Sequence, residues 1–326
     1  MSEPPMDTIR HFSHDQQLRK IAFYTRGFLE HFLLPPCISR AKLNSWLKRI
    51  NRYDPEAIWR RVNYYNRLET PFEPAADATS IAKIPWDKTT YRIDFRRVMR
   101  HFYPELKANY RFGDVTEVTD TPRFVKTRPI TRPNANNILL RLNSIRHFRP
   151  IYDPLQFRQK KDSLVWRGAV KLNHRSTIFR QHFGNPQIDI GVTKARPISE
   201  LEAWRKPYLS IAEQLQHKFV LSVEGNDVAT NLKWIAQSNS LCFMPKPKFE
   251  SWFMEGTLEA GTHYVEVKDD YSDLLEKMDY YCENPDEAEA IIDQLKRHHE
   301  EFTDSTKEHL ISLLVARKYF QLSGQL

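Results

Sequence analysis

The chain lacks the short motifs that most often identify an enzyme from its sequence. Its 326 residues contain neither Gly-x-Gly-x-x-Gly nor Gly-x-x-x-x-Gly-Lys-Ser/Thr, which excludes a dinucleotide-binding fingerprint and a P-loop. There is no Asp-x-Asp, a carboxylate pair that often holds a divalent cation, and no His-Glu-x-x-His or Gly-x-Ser-x-Gly. The last two absences argue against a metal site of that kind and against a serine hydrolase.

Cysteine and long apolar runs are also scarce. Cys37, Cys242 and Cys282 are odd in number and far apart, which predicts a reducing compartment and no metal cluster. The first residues have neither the basic start nor the apolar core of a signal peptide, and the longest apolar stretches fall short of a membrane span. With 40% hydrophobic and 28% charged residues, the composition is typical of a soluble globular protein large enough for two domains.

Charge is distributed unevenly along the chain. The net charge of +8 arises from a basic half, residues 1–160, and a slightly acidic half, residues 161–326. A basic half indicates an anionic partner, which could be nucleic acid, an anionic membrane surface or a phosphorylated glycolipid. The alternative is a solvated surface with no specific partner.

The most informative stretch is KFVLSVEGNDVATNLKW, residues 218–234. Phe219–Val223 is an apolar, β-branched run that predicts a buried strand, and Glu224–Asn226 interrupt it. Asp227 then predicts a helix cap, since apolar residues follow at helical spacing. A strand, a glycine turn and a helix N-terminus form an anion-binding arrangement, although an ordinary βα unit has the same pattern.

The second half of the chain alternates between strand and helix patterns. Strands are predicted near 164–169, 188–192, 219–223, 240–244 and 263–267, and helices near 174–183, 199–216, 227–238 and 271–282. Further helices are predicted from Pro285 to about 300 and over 306–320. This order predicts a parallel sheet covered by helices, with its ligand at the carboxyl ends of the strands.

The first half is predicted to begin with helices over 16–34, 43–50 and 57–68. The helix over 16–34 has one apolar side, formed by Leu18, Ile21, Ala22, Phe28, Leu29 and Phe32. A helix over 91–102, short strands at 109–112 and 123–126, and an amphipathic helix over 134–148 follow. The proline-containing stretch 149–157 is the best domain boundary, so we predict domains at 1–155 and 156–302 and a terminal helix at 303–326.

Several segments, taken in order, resemble glycosyltransferase family 90. They are a strand ending in WRG (166–168), the EGNDVATNLKW stretch (224–234), SLCFMP (240–245) and HYVEVKDDYSDL (263–274). The family includes protein O-glucosyltransferases of animals and lipopolysaccharide core glycosyltransferases of Gram-negative bacteria. The resemblance implies a GT-B fold, in which two Rossmann-like domains face a cleft and a C-terminal helix crosses back to the first domain.

Glycosyl transfer from a nucleotide sugar requires a diphosphate leaving group to be stabilised. Because Asp-x-Asp is absent, protein cations and helix N–H groups must meet this charge, and no metal or other cofactor is expected. The cations predicted to do so are Arg167, Lys171, Arg175 and Lys233. Gly168 would permit close approach of the backbone, Asn226, Asp227 and Thr230 would surround the diphosphate or ribose, and Glu255 could hold ribose or the donor sugar.

The base that activates the acceptor hydroxyl is predicted to come from the first domain. Asp114, in the segment FGDVTEVTDTPRFVKTR, matches loosely the position of the family's general base in an inverting displacement. Glu117 and Asp120 are the reserve candidates, and a turn aspartate that bonds its own backbone is the structural alternative.

The sequence and the resemblance together predict a metal-independent, inverting glycosyltransferase of the cytoplasmic side of the inner membrane. It would move glucose or galactose from a UDP-hexose donor to a lipopolysaccharide core sugar, with peripheral contact to the anionic membrane and no nucleic-acid partner. The alternative is a non-catalytic, basic nucleic-acid-binding protein, although no RNA- or DNA-binding signature is present.

Overall fold

The computed structural model describes residues 6–85, 89–170, 174–194 and 199–326. The chain divides into two compact units. The first unit comprises the residues up to His147 together with Glu250–Trp252 and Asp304–Leu326, and the second unit comprises Phe148–Phe249 and Phe253–Thr303.

The regular elements follow one another along both units. The helices are α1 (Met6–Phe32), α2 (Pro36–Ala41), α3 (Leu43–Leu47), α4 (Pro55–Tyr65), α5 (Thr89–Met99), α6 (Ser144–His147), α7 (His174–His182), α8 (Ser199–Ala203), α9 (Ile211–Gln214), α10 (Leu232–Ile235), α11 (Leu274–Glu283), α12 (Pro285–Glu300) and α13 (Ser305–Leu322). The strands are β1 (Thr79–Ser80), β2 (Lys107–Ala108), β3 (Tyr110–Arg111), β4 (Arg123–Val125), β5 (Thr127–Pro129), β6 (Asn137–Leu139), β7 (Lys161–Ala169), β8 (Ile188–Lys194), β9 (His217–Leu221), β10 (Leu241–Met244), β11 (Phe249–Ser251) and β12 (Val265–Glu266).

The second unit is built on a five-stranded parallel sheet. Its strand order is β12-β10-β9-β7-β8, and every neighbouring pair is parallel. Both faces of a parallel sheet are covered, and β9 and β10 are accordingly buried at every position. Ile178 of α7, Met278 of α11 and Ile291 of α12 pack into the same core. The predicted α/β alternation with a parallel sheet is confirmed.

Two of the predicted helices in this unit are shorter than expected. The helix predicted over 199–216 is divided into α8 and α9, since Pro207 has no N–H to donate within a helix. The helix predicted over 227–238 begins only at Leu232, with Asn231 as its N-cap residue. The prediction that Asp227 caps this helix is therefore wrong, and the backbone from Gly225 to Asp227 forms a turn in which the Gly225 N–H donates to the Asp227 carbonyl at 2.9 Å.

The first unit combines helices with a small parallel sheet of order β3-β4-β6. The amphipathic helix predicted over 134–148 is wrong, because Asn137–Leu139 pairs with β4 and only Ser144–His147 is helical. Ile138, Leu139 and Leu140 are all buried, and such a continuous apolar run fits a strand covered on both faces as well as it fits a helix. Pairing with β4 decides the outcome.

Helix α13 lies in the core of the first unit, where it contacts α3, α4 and α5. A buried ion pair joins it to α4, with the Arg61 guanidinium donating to both carboxylate oxygens of Glu308 at 2.6 and 3.0 Å. The Trp252 indole N–H also donates to Glu308, and the Trp252 ring stacks on Tyr65 at 3.8 Å between centroids. These bonds hold Glu250–Trp252 within the first unit.

Among the described residues, no helix has both the length and the apolar character needed to cross a bilayer.

Candidate functional site

A cavity of about 350 Å³ opens at the carboxyl ends of the parallel strands of the second unit. Its walls come from the segments that follow three neighbouring strands: Ser222–Asn226 after β9, Met244–Phe249 after β10, and Asp269 with Tyr271 after β12. His174, the first residue of α7, completes the rim. The edge of the sheet at which the sequence predicts a ligand therefore contains a cavity of suitable size for a small molecule.

The turn after β9 is held in place by Arg175. Its guanidinium donates to the carbonyl oxygens of Ala169, Val223 and Glu224, each at 2.8 Å. A Cβ atom at Gly225 would lie 3.1 Å from Arg175 Nη2, so glycine leaves room for the guanidinium beside the turn. Arg175 thus shapes the floor of the cavity through the backbone, and it does not itself line the cavity.

A buried ion pair adjoins the cavity. Glu255 lines it, and the Lys233 ammonium donates to Glu255 Oε1 from a position that is buried among protein atoms. Burying either charge alone would be costly, whereas the pair is electrically neutral. The Lys233 ammonium therefore offsets a carboxylate that would otherwise repel an anionic ligand.

Two lysines follow β10 in the sequence PKPKF and line the same cavity. Lys248 pairs with Asp269 at 3.0 Å. Lys246 is exposed, and within the described parts of the chain its ammonium has neither a hydrogen bond nor an ion pair. Lys246 is thus a cation available to an anion in the cavity.

Glu224 lies at the cavity wall, and the pKa of its carboxyl group is raised. Its Oε1 accepts the backbone N–H groups of Lys248 and Phe249 at 3.1 and 3.0 Å. Burial raises the pKa of Glu224 to about 7, with a contribution from the charge of Glu255, although the two N–H donors oppose the rise. The net charge of the cavity therefore changes near neutral pH.

Asp114 lies in the first unit, in the loop after β3. Lys126, which is buried, donates to Asp114 Oδ1 at 2.9 Å, and the Val115 N–H approaches Thr127 Oγ1 at 3.4 Å. The two segments that the sequence linked, FGD and FVKT, thus lie side by side because β3 and β4 are parallel neighbours. The Asp114 side chain is 39% exposed and remains accessible to a ligand.

Known proteins resemble this chain over the cavity and beyond it. Residues 142–310 match the family model described as Glycosyl transferase family 90. The chain is also 42% identical over 312 residues to the O-glucosyltransferase LpsA of Dichelobacter nodosus, covering 94% of this chain and 97% of that protein. The chain belongs to glycosyltransferase family 90. A human relative, Protein O-glucosyltransferase 3, is 28% identical over 136 residues, which cover 40% of this chain and 26% of the human protein.

Family 90 membership confirms the resemblance inferred from the ordered motifs and identifies the chain as a glycosyltransferase. It favours the enzyme over the alternative of a non-catalytic nucleic-acid-binding protein. The matched region includes every segment that lines the cavity of the second unit.

In this glycosyltransferase Arg167 bonds to protein acceptors, and its predicted contact with a diphosphate stays a prediction. Its Nη2 donates to both carboxylate oxygens of Asp189 at 2.9 Å, and its Nε and Nη1 donate to the carbonyl oxygens of Pro207, Trp166 and Asp189. Each of the three guanidinium nitrogens thus donates to a protein oxygen, the side chain is 5% exposed, and Arg167 does not line the cavity. A phosphate would compete with these acceptors for Arg167.

Gly168 also has a packing role. A Cβ atom there would lie 2.5 Å from the Trp166 indole, so a larger residue would displace that ring. Lys171, predicted as a phosphate contact, lies outside the described residues. Of the remaining predicted residues, Asn226 and Glu255 line the cavity, whereas Asp227, Thr230 and Lys233 are not among its lining residues.

The residues that sequence reasoning missed at this site are Glu224, Lys246 and Lys248. The same rule that selected the turn after β9 could have found the lysines, because SLCFM is a predicted strand and PKPKF follows its carboxyl end. Among the described residues, no cluster of three or more histidine, cysteine, aspartate or glutamate side chains has the arrangement of a metal site.

Proposed function

We propose that this glycosyltransferase transfers a hexose from a UDP-hexose to a sugar of a lipopolysaccharide or lipooligosaccharide core. The relative from Dichelobacter nodosus, which matches along nearly its whole length, carries the name O-glucosyltransferase. Glucose is accordingly the first candidate for the transferred sugar, and galactose the second. The GT-B arrangement implied by the family resemblance stays a prediction.

The observation that supports a nucleotide-sugar donor most strongly is the cavity at the carboxyl edge of the parallel sheet. Lys246 supplies a positive charge without a partner in the described structure, and the Glu255 carboxylate is neutralised by Lys233. In the proposed complex, Lys246 binds the diphosphate and stabilises the negative charge that develops on the departing UDP. The apolar wall formed by Val223, Val228 and Phe249 accepts the flat face of the uracil ring.

The proposed reaction inverts the anomeric carbon. The acceptor hydroxyl attacks this carbon as the bond to UDP breaks, and a carboxylate accepts the proton of the hydroxyl. We assign this step to Asp114, which is partly exposed and is positioned by Lys126. Because protein cations carry the leaving-group charge in this proposal, the reaction requires no divalent metal.

The proposal is tested by incubating the purified enzyme with UDP-glucose or UDP-galactose and a core oligosaccharide in the presence of EDTA. We expect transfer to continue in EDTA, with glucose preferred, and the anomeric configuration of the product, read by NMR, to be opposite to that of the donor. Activity that is lost in EDTA and restored by Mn²⁺ would contradict the proposed role of Lys246. A product with retained configuration would exclude Asp114 as the base of a single displacement.

A further inference from the structure

One side of helix α1 exposes large apolar side chains. Its apolar face consists of the residues that the sequence places on one side of the helix, Leu18, Ile21, Ala22, Phe28, Leu29 and Phe32, and each of them is exposed. The spacing of three or four residues brings them onto one stripe of the helix surface. Phe32 reaches 72% exposure, and Leu33, Leu34 and Ile38, which follow α1 in the chain, are exposed as well. We call the six residues of α1 the apolar face.

The opposite side of α1 already packs within the first unit. Phe23 and Gly27 are buried, and a Cβ atom at Gly27 would lie 2.7 Å from Ile93 of α5. Arg97 of α5 lies over the Phe23 ring at 4.8 Å and donates to Glu30 at 3.1 Å. Because these contacts hold the helix by its other side, the apolar face is not a core surface of this unit.

The segment that contains the apolar face is rich in basic residues. Residues 17–53 include Arg19, Lys20, Arg26, Arg40, Lys42, Lys48, Arg49 and Arg52, against a single acidic residue. That residue, Glu30, is paired with Arg26 and Arg97. The segment therefore combines exposed apolar side chains with a strong excess of positive charge.

We propose that the apolar face of α1, with its flanking lysines and arginines, binds the surface of a bilayer that contains anionic lipids. A helix that lies in the interface buries apolar side chains among the acyl chains while its basic residues meet lipid phosphates. A second copy of this chain fits less well, since pairing two such faces would oppose two strongly positive segments. The proposal rests on the proposed function in one respect, namely that a glycolipid acceptor gives the enzyme a reason to occupy a membrane surface.

The test is sedimentation of the full-length protein with vesicles of phosphatidylcholine alone or mixed with phosphatidylglycerol. We expect wild-type protein to sediment with the mixed vesicles and to be released by high salt, because the electrostatic contribution is screened. Ile21→Ser combined with Phe32→Ser should weaken this binding by roughly tenfold or more, since two large apolar side chains would no longer be buried in lipid. Lys42→Glu combined with Lys48→Glu should weaken binding to the mixed vesicles while leaving any binding to phosphatidylcholine unchanged.

The matched control is Tyr208→Ser, which removes an aromatic side chain of the same 72% exposure from the second unit. Its vesicle binding should equal that of the wild type, and circular dichroism should give all variants the same melting temperature. Wild-type protein that stays in the supernatant, or equal losses in the control and the Ile21/Phe32 variant, would overturn the proposal. So would a dimer that dissociates on Phe32→Ser without any lipid binding, because a second copy would then occupy the face.

The outcome is separable from that of the proposed reaction. Transfer to a soluble core oligosaccharide needs no bilayer and should survive in the Ile21/Phe32 variant. Vesicle binding with no transferase activity would support the proposed membrane-binding surface and contradict the proposed reaction. Transferase activity without vesicle binding would support the reaction and contradict the membrane-binding surface.

Discussion

Charged side chains have different surroundings in the core of the first unit and at the cavity of the second unit. In the first unit, the Arg61 guanidinium and the Trp252 indole both donate to the Glu308 carboxylate, and all three side chains are shielded from solvent. At the cavity of the second unit, Lys246 has no partner among the described residues and Glu224 has a pKa near neutrality. A buried charged group that is paired within the protein belongs to the fold. A charged group that lacks a protein partner beside a cavity is available to bind a ligand.

The largest effect is expected from replacing Asp114, an exposed carboxylate of the first unit. Asp114→Asn keeps the size of the side chain but cannot accept the proton of the acceptor hydroxyl, so turnover should fall roughly 10²–10⁴-fold. UDP affinity and melting temperature should remain nearly unchanged. The measurement is the rate of transfer from UDP-glucose at saturating donor.

Asp120→Asn is the matched control, since Asp120 is an exposed aspartate in the same loop. Its turnover should stay close to that of the wild type. Near-normal turnover in Asp114→Asn would reduce Asp114 to a loop aspartate, and a loss confined to Asp120→Asn would move the base to that residue.

Replacing Glu308, which accepts hydrogen bonds from Arg61 and Trp252, should lower the stability of the protein. Glu308→Leu leaves the Arg61 guanidinium buried without its carboxylate, and this should cost about 3–5 kcal/mol of the free energy of unfolding. Glu308→Gln retains an acceptor for the Trp252 indole and should lose less. Both values come from urea denaturation, and equal losses in the two variants would show that the charge of Glu308 contributes nothing.

A third comparison contrasts two cations of the second unit. Lys246→Ala should weaken UDP binding by about 1.5 kcal/mol, or roughly tenfold, because it removes a charge-assisted bond to phosphate. Arg167→Leu should leave UDP affinity nearly unchanged and lower the melting temperature, since all three of its guanidinium nitrogens donate to protein acceptors. Calorimetry with UDP, together with thermal unfolding, distinguishes the two; the opposite pattern would return Arg167 to the donor site.

The smallest effect concerns pH. Because burial raises the pKa of Glu224 to about 7, this carboxyl is mostly neutral at pH 6 and mostly ionised at pH 8. Its negative charge repels a diphosphate, so UDP should bind more weakly as the pH rises through 7, by roughly threefold. Glu224→Gln should lack this component, while the titration of UDP itself is common to both proteins. Identical pH profiles would show that Glu224 does not face the ligand.

The parallel sheet of the second unit could be predicted because its strands are recognisable from their own residues and the turn residues beside them. Runs such as Phe219–Val223, bounded by turn residues, have no polar face and fit strands that are covered on both sides. The segment Asn137–Leu140 has the same apolar character, but its surroundings also fit a helical period. Only its pairing with β4 decided between the two, and that pairing depends on residues about fourteen positions away.

The sequence by itself determined the family, the strands of the second unit and the edge of the sheet at which a ligand is expected, because these depend on residue types in local order. Tertiary structure alone decided which charges remain available there. Arg167 is occupied by Asp189 and Pro207, which lie 22 and 40 residues away, whereas Lys246 meets no such acceptor in the described chain. It also decided that Phe23 and Gly27 of α1 face α5 and that Phe32 faces outward, since a helix with apolar residues on two sides can bury either one.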